Sequence, residues 1–193
     1  MSYHPGMTAE TANASDLASY LREHALRFGT FTLASGATST YYIDVRRASL
    51  SGRGAVLIAD GILDLLEREG MTPDAIGGMD MGATPIAAAV GLRAHQRDAD
   101  VPVFVVRKNA KDHGTGRRVE GNLPETPSRV VIVDDVVTSA GSIIQAIEVV
   151  RELGHEVILA VAVLDRAAGG GERIESIGVP YRALVQLAEL GVE

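Results

Sequence analysis

Two adjacent carboxylates, Asp134 and Asp135, follow the apolar run of residues 130–133 and precede Val136, Val137 and then Thr138, Ser139, Ala140, Gly141 and Ser142. Paired acids can accept hydrogen bonds from two neighbouring hydroxyls of a sugar. A small, hydroxyl-rich turn that opens a helix turns backbone N–H groups toward an anion such as phosphate, helped here by the side chains of Thr138, Ser139 and Ser142. Ligands of open α/β sheets sit beyond the carboxyl ends of strands, which is where this set falls. The plain alternative is a strand end with an Asp helix cap. It does not call for two acids and a run of hydroxyls.

A second set is cationic. Arg107, Lys108, Lys111, His113, Arg117 and Arg118 fall within twelve residues of a chain whose net charge is −7, with Gly114, Gly116 and Gly121 around them. Taken alone, such a run equally suits a solvated face. Lying between two apolar runs, on a connection longer than compact domains use, it suits a mobile lid over a polyanion. Lys108 and Lys111 are the only lysines among 18 basic residues. An overall Arg bias does not explain why both share one segment. Lysine is a compact, mobile point charge and arginine a planar fork, so chemistry that needs the ammonium would keep lysine there.

These groups need a frame. Helix-type spacing predicts a first helix from a Ser15 cap to near Gly29, with Leu17, Leu21 and Ala25 on one face, and a second over 51–70 with Ile58, Ile62, Leu65 and Leu66. Residues 31–45 hold two short extended segments around a turn at Ser35-Gly36. An alternation follows: strand 75–79, helix 85–97, strand 101–106, strand 130–134, helix 142–153, strand 157–164. Unbroken apolar runs such as VILAVAVL suit strands covered on both faces, as in a parallel sheet. With 193 residues, 46% hydrophobic, 22% charged and no internal repeat, one α/β domain is expected. The acidic balance argues against nucleic acid as a partner. Zero cysteines exclude disulfides and thiolate chemistry and suit a cytoplasmic protein. No apolar segment of the sequence suggests a leader or a membrane span.

The apolar strand, Asp-Asp, two apolar residues and hydroxyl-rich loop resemble the PRPP-binding motif (PRPP, 5-phosphoribosyl 1-pyrophosphate) of type I phosphoribosyltransferases. Ala140 departs from it, since many members have Gly there. The segment RKNAKDHG over 107–114 resembles the more specific catalytic loop of orotate phosphoribosyltransferases. Further resemblances cover nearly the whole chain. Residues 31–44, with Tyr42-Ile43, resemble the lining of the orotate pocket, Asp165-Arg166 an orotate-binding arginine, and residues 77–87 the pyrophosphate loop. Many members carry Lys where this chain has Ala34, and some where it has Gly82.

The resemblance implies a type I phosphoribosyltransferase fold over 1–193. A central, mainly parallel sheet would be flanked by helices, with a small hood from about 15–48 and 180–193. It implies PRPP bound by Arg107, Lys108, Lys111, His113 and the run Asp134, Asp135, Val136, Val137, Thr138, Ser139, Ala140, Gly141 and Ser142. Orotate would be held by Thr138, Arg166 and Tyr42, and Lys111, His113 and Asp135 would be catalytic. It implies Mg²⁺ held by PRPP and water rather than by a dedicated protein cluster, and a homodimer whose lids complete each other's sites. Other readings are a phosphoribosyltransferase for another base, against which the RKNAKDHG loop and Arg166 argue, and a PRPP-sensing regulator without catalysis, for which no DNA-reading part is evident. A dinucleotide-binding protein is disfavoured because no G-x-G-x-x-G follows the first strand.

Overall fold

The computed structural model describes residues 9–32, 36, 38–109 and 118–192, and their side chains from residue 16 onward. In chain order the elements are α1 (Ala9–His24), β1 (Leu26–Thr32), β2 (Thr38–Ile43), α2 (Arg46–Ser49), α3 (Gly52–Arg68), β3 (Ala75–Met79), α4 (Ala83–Gln96), β4 (Val103–Val106), β5 (Val119–Gly121), β6 (Arg129–Val137), α5 (Gly141–Glu152), β7 (Glu156–Asp165), α6 (Gly170–Ser176) and β8 (Tyr181–Gln186), closed by a 3₁₀ turn at Leu187–Leu190. β1 and β2 form an antiparallel hairpin, and a six-stranded sheet runs β5-β4-β3-β6-β7-β8. All its pairings are parallel except that of β5 with β4. This is the mainly parallel α/β sheet expected.

Continuous apolar strands meet both helical layers. All of β3 is buried, and β7 is buried from Val157 to Asp165. Leu65, Ile86, Val131 and Leu159 belong to one core cluster, while Ile132, Ile143, Ile147 and Ala160 belong to another. In β6, neighbours Val131 and Ile132 go to opposite clusters, as period-2 alternation requires. The α3 start is fixed by Ser51, whose hydroxyl accepts from the Gly54 N–H at 3.1 Å and meets the Tyr20 hydroxyl at 2.9 Å.

Some boundaries differ from expectation. α1 begins at Ala9 and stops at His24, not Ser15 to Gly29. Upstream, the Ala-rich stretch AETANA carries the helix back. Downstream, Leu26, Arg27 and Phe28 pair with Ile43, Tyr42 and Tyr41, and this cross-strand ladder takes the segment from the helix. β4 opens at Val103 instead of residue 101, because Pro102 lacks an N–H; its carbonyl still accepts from Ile76 at 2.9 Å. β6 runs to Val137, three residues past the expected end, since β7 is long enough to pair Val136 with Leu164 and Val137 with Asp165. The short elements α2, β5, α6 and β8 were not anticipated.

Candidate active site

Parallel strands put their carboxyl ends on one edge of the sheet, and the chemistry-bearing residues collect there. Asp80 follows β3 and donates its N–H to Val106 at 2.8 Å; Arg107 follows β4; Arg166 follows β7 and donates its N–H to Val137 at 3.0 Å. The strands therefore bring Asp134, Asp135, Thr138 and Arg166 to one end of the β6–β7 pair. The two carboxylates lie within β6 rather than beyond it.

Asp134 is 6% exposed and Asp135 partly exposed. The Asp135 N–H donates to Asp134 Oδ1 at 3.0 Å, and the Val136 N–H to Asp135 Oδ1 at 2.9 Å. Those bonds orient both carboxylates. Burial, and secondarily the adjacent Asp135 charge, push the Asp134 carboxyl up to about 7, despite the N–H it accepts. Against the pair lies Gly82, where a Cβ would come within 2.6 Å of Asp135 Oδ1 and 3.0 Å of Asp134 Oδ1. Only glycine permits that approach.

Beyond β6 the turn is open. Thr138, Ser139, Gly141 and Ser142 are exposed, and α5 starts at Gly141 with Ala140 as its cap. Ala140 takes the left-handed conformation at φ +62°, a geometry that favours glycine, and the chain holds it with Ala. A Cβ on Gly141 would touch nothing within 4 Å, so the space before this helix start is free. From the far side Arg173 donates to the Ser139 carbonyl at 2.9 Å. Gly170 packs so close to Thr138 that a Cβ there would meet the Thr138 carbonyl at 2.6 Å. α6, absent from the sequence reading, is therefore the brace of this turn; the triple glycine at 169–171 was its signal.

A cavity of about 290 Å³ adjoins the carboxylates. Tyr42, Arg46, Asp80 and Gly82 line it together with Asp134 and Asp135. The sequence reading had not assigned Arg46 or Asp80. Tyr42 thus faces the carboxylate side, whereas the aromatic neighbour of Arg166 is Tyr41, with the guanidinium carbon 5.8 Å from the ring centroid. Alternation along β2 separates the two tyrosines. Arg107 pairs with Glu120 across β4 and β5 at 3.3 Å, and Lys108 is exposed. Lys111 and His113 lie outside the described residues, as does Ala34.

Hard oxygen donors dominate this edge, a set that fits a magnesium ion shared with a phosphorylated ligand. Among the described residues no three His, Asp or Glu side chains are grouped to hold a metal unaided.

A model of the phosphoribosyl transferase domain matches residues 51–179, from the start of α3 past α6, and the chain belongs to that family. The orotate phosphoribosyltransferase of Rhodopirellula baltica is 41% identical over 194 residues, covering 97% of this chain and 100% of its own length. That of Streptomyces avermitilis is 44% identical, covering 90% of this chain and 94% of its own. The crystal structure of Mycobacterium tuberculosis H37Rv orotate phosphoribosyltransferase in complex with PRPP superposes with a TM-score of 0.79 at 33% identity, over 93% of this chain and 99% of that one. Within the family, then, this transferase is a member of the orotate phosphoribosyltransferases.

Proposed function

We propose that the chain transfers the 5-phosphoribosyl group of PRPP to orotate, giving orotidine 5′-monophosphate and pyrophosphate, through the edge described above. The observation that carries this reading is the oriented carboxylate pair of β6 running into the open turn at the start of α5. Asp134 and Asp135 accept from the ribose 2′ and 3′ hydroxyls. The backbone N–H groups over 138–142 and the hydroxyls of Thr138, Ser139 and Ser142 take the 5-phosphate. Arg166, levelled by Tyr41, binds the carboxylated pyrimidine beside Thr138, and Tyr42 bounds the base from the hairpin.

In the reaction the ribose C1–O bond breaks, its electron pair leaves with pyrophosphate, and C1 bonds to the orotate ring nitrogen. The proton of that nitrogen passes to the pyrophosphate oxygens or to water at the cleft mouth. A weak nucleophile demands that bond breaking run ahead of attack, so the cationic ribose must be shielded from hydrolysis. Arg107, Lys108, Lys111 and His113 close over the leaving group and stabilise its growing charge. Mg²⁺, held mainly by PRPP and water, would neutralise part of the pyrophosphate charge, with the carboxylates of this edge as the protein groups suited to it. The carboxylates meanwhile fix the ribose so that C1 faces the base.

The hairpin β1–β2 and the C-terminal turn form the hood of this single domain. Phe28 and Tyr41 of the hairpin face Ala188 and Val192 across a cavity of about 470 Å³, which supports that reading. The resemblance of the lid supports a homodimer in which Lys111 reaches the partner's site. The cysteine-free composition and the small-molecule substrates suit the cytoplasm; among the described residues no helix is long and apolar enough to cross a membrane.

The site assignment is tested by calorimetric titration with PRPP and Mg²⁺. Asp135→Asn and Gly141→Leu should both lose PRPP affinity while remaining folded. Unchanged affinity in both would remove the ribose and phosphate contacts from this turn.

A further inference from the structure

The cavity beside the carboxylate pair is a poor place for a polyanion as its acids alone would make it. Asp44, Asp80, Asp134 and Asp135 all line it, and among the described residues the one cationic side chain of the lining is Arg46. Like charges repel, so an anionic ligand beside these acids needs a cation, from the protein or brought with it. Gly82 brings only a backbone N–H.

Arg46 is built for the task. It begins α2 directly after the hairpin, and its Nε donates to Asp44 Oδ1 at 2.9 Å. That bond fixes the guanidinium plane through one nitrogen, and among the described residues it is the side chain's one hydrogen bond. Both terminal nitrogens therefore keep their donors for a ligand. The next residue is used differently: Arg47 donates from Nε to the His24 carbonyl at 3.0 Å, tying α2 to the end of α1. Of two adjacent arginines, one is structural and the other faces the cavity. The Arg46 side chain is 46% exposed, so a ligand can reach it without rearrangement of the core.

We propose that Arg46 binds the pyrophosphate arm of PRPP, its terminal nitrogens forking onto non-bridging oxygens on the side of the cavity where α2 begins. The arm is then held from the frame of the domain, at the start of α2. The same contact serves the product pyrophosphate, so Arg46 acts in both directions of the reaction. The inference rests on the reading of this cavity as part of the PRPP site.

The test compares ligands that differ by the arm alone. Wild type, Arg46→Ala and Arg46→Lys are titrated with PRPP and with ribose 5-phosphate in the presence of Mg²⁺, and KM is measured for PRPP, for orotate and, in the reverse direction, for pyrophosphate. Arg46→Ala should weaken PRPP binding and raise KM for PRPP and pyrophosphate by about tenfold or more, the loss of a charge-assisted fork. Ribose 5-phosphate affinity and KM for orotate should stay within about twofold, a small fraction of such a contact. Arg46→Lys should recover part of the loss. Equal losses on PRPP and ribose 5-phosphate would show a general disturbance of the site and overturn the proposal. So would an effect confined to orotate, or an unchanged KM for PRPP. A wild-type protein that binds neither phosphorylated ribose would overturn the functional reading itself, and this inference with it.

Discussion

Asp134 sits where two demands on one side chain conflict. Its burial favours the neutral acid, while a ribose hydroxyl donating to it in the proposed complex would favour the carboxylate. With the folded carboxyl raised from 3.8 to about 7, the folded protein holds a proton that the unfolded chain has released over that interval. Stability of the ligand-free protein should therefore fall as pH rises between those two values and level off above them. Urea unfolding across the interval is the check, and Asp134→Asn should flatten the slope. Binding of PRPP with Mg²⁺ should expel the same proton, seen as a dependence of the calorimetric heat on the ionisation enthalpy of the buffer. A pair of glycines divides the remaining residue-scale argument. Gly82→Ala forces a methyl onto the carboxylates and should cost about 1–3 kcal/mol of stability along with PRPP use. Gly141→Leu points into free space and should leave stability within about 0.5 kcal/mol while PRPP affinity is lost. Thermal melts beside titrations separate the two. At this scale the carboxylates and the hydroxyl turn were legible as candidates because they are adjacent residues of one strand and one turn, and Arg166 through the family resemblance. Arg46 and Tyr41 were not, since what each does depends on residues far from it in sequence.

The elements were legible where periodicity is long. β3 was read residue for residue, and the apolar strands of the sheet declared themselves because both faces are covered. β5 was hidden: three residues, one of them glycine, carry no period, and their pairing with β4 is set by the fold. The α6 helix was hidden for a similar reason, although it packs against the turn that precedes α5. Arg173 on α6 holds the Ser139 carbonyl from behind. Arg173→Ala should raise KM for PRPP about two- to fivefold through a loosened turn, an exposed hydrogen bond being worth roughly 0.5–1 kcal/mol. KM for orotate should be unaffected. A steady-state comparison with both substrates varied in turn decides it, and no change in KM for PRPP would leave α6 without a part in holding the turn.

At the scale of the molecule, the proposed ribose and phosphate contacts fall on one sheet edge, and in the same proposal the cationic segment supplies the charge that this acidic edge lacks. The sequence made the segment conspicuous through charge and through its two lysines, but neither charge nor spacing says which subunit it serves. Lys111→Ala should lose about 2–4 kcal/mol of transition-state stabilisation, roughly a factor of 30 to 1,000 in rate, and Lys111→Arg should recover only part. Mixed dimers of Lys111→Ala and Asp135→Asn subunits should regain activity if the segment acts on the partner's site. Subunit exchange without regained activity would place Lys111 in its own subunit's site. All of this presupposes the base that is joined to the ribose. Orotate turnover with PRPP and Mg²⁺, followed by the loss of orotate absorbance beside parallel reactions with uracil, adenine and guanine, tests that most directly. Turnover with orotate and little with the other bases is the expected result; comparable rates with uracil or a purine, or no reaction with orotate, would contradict it.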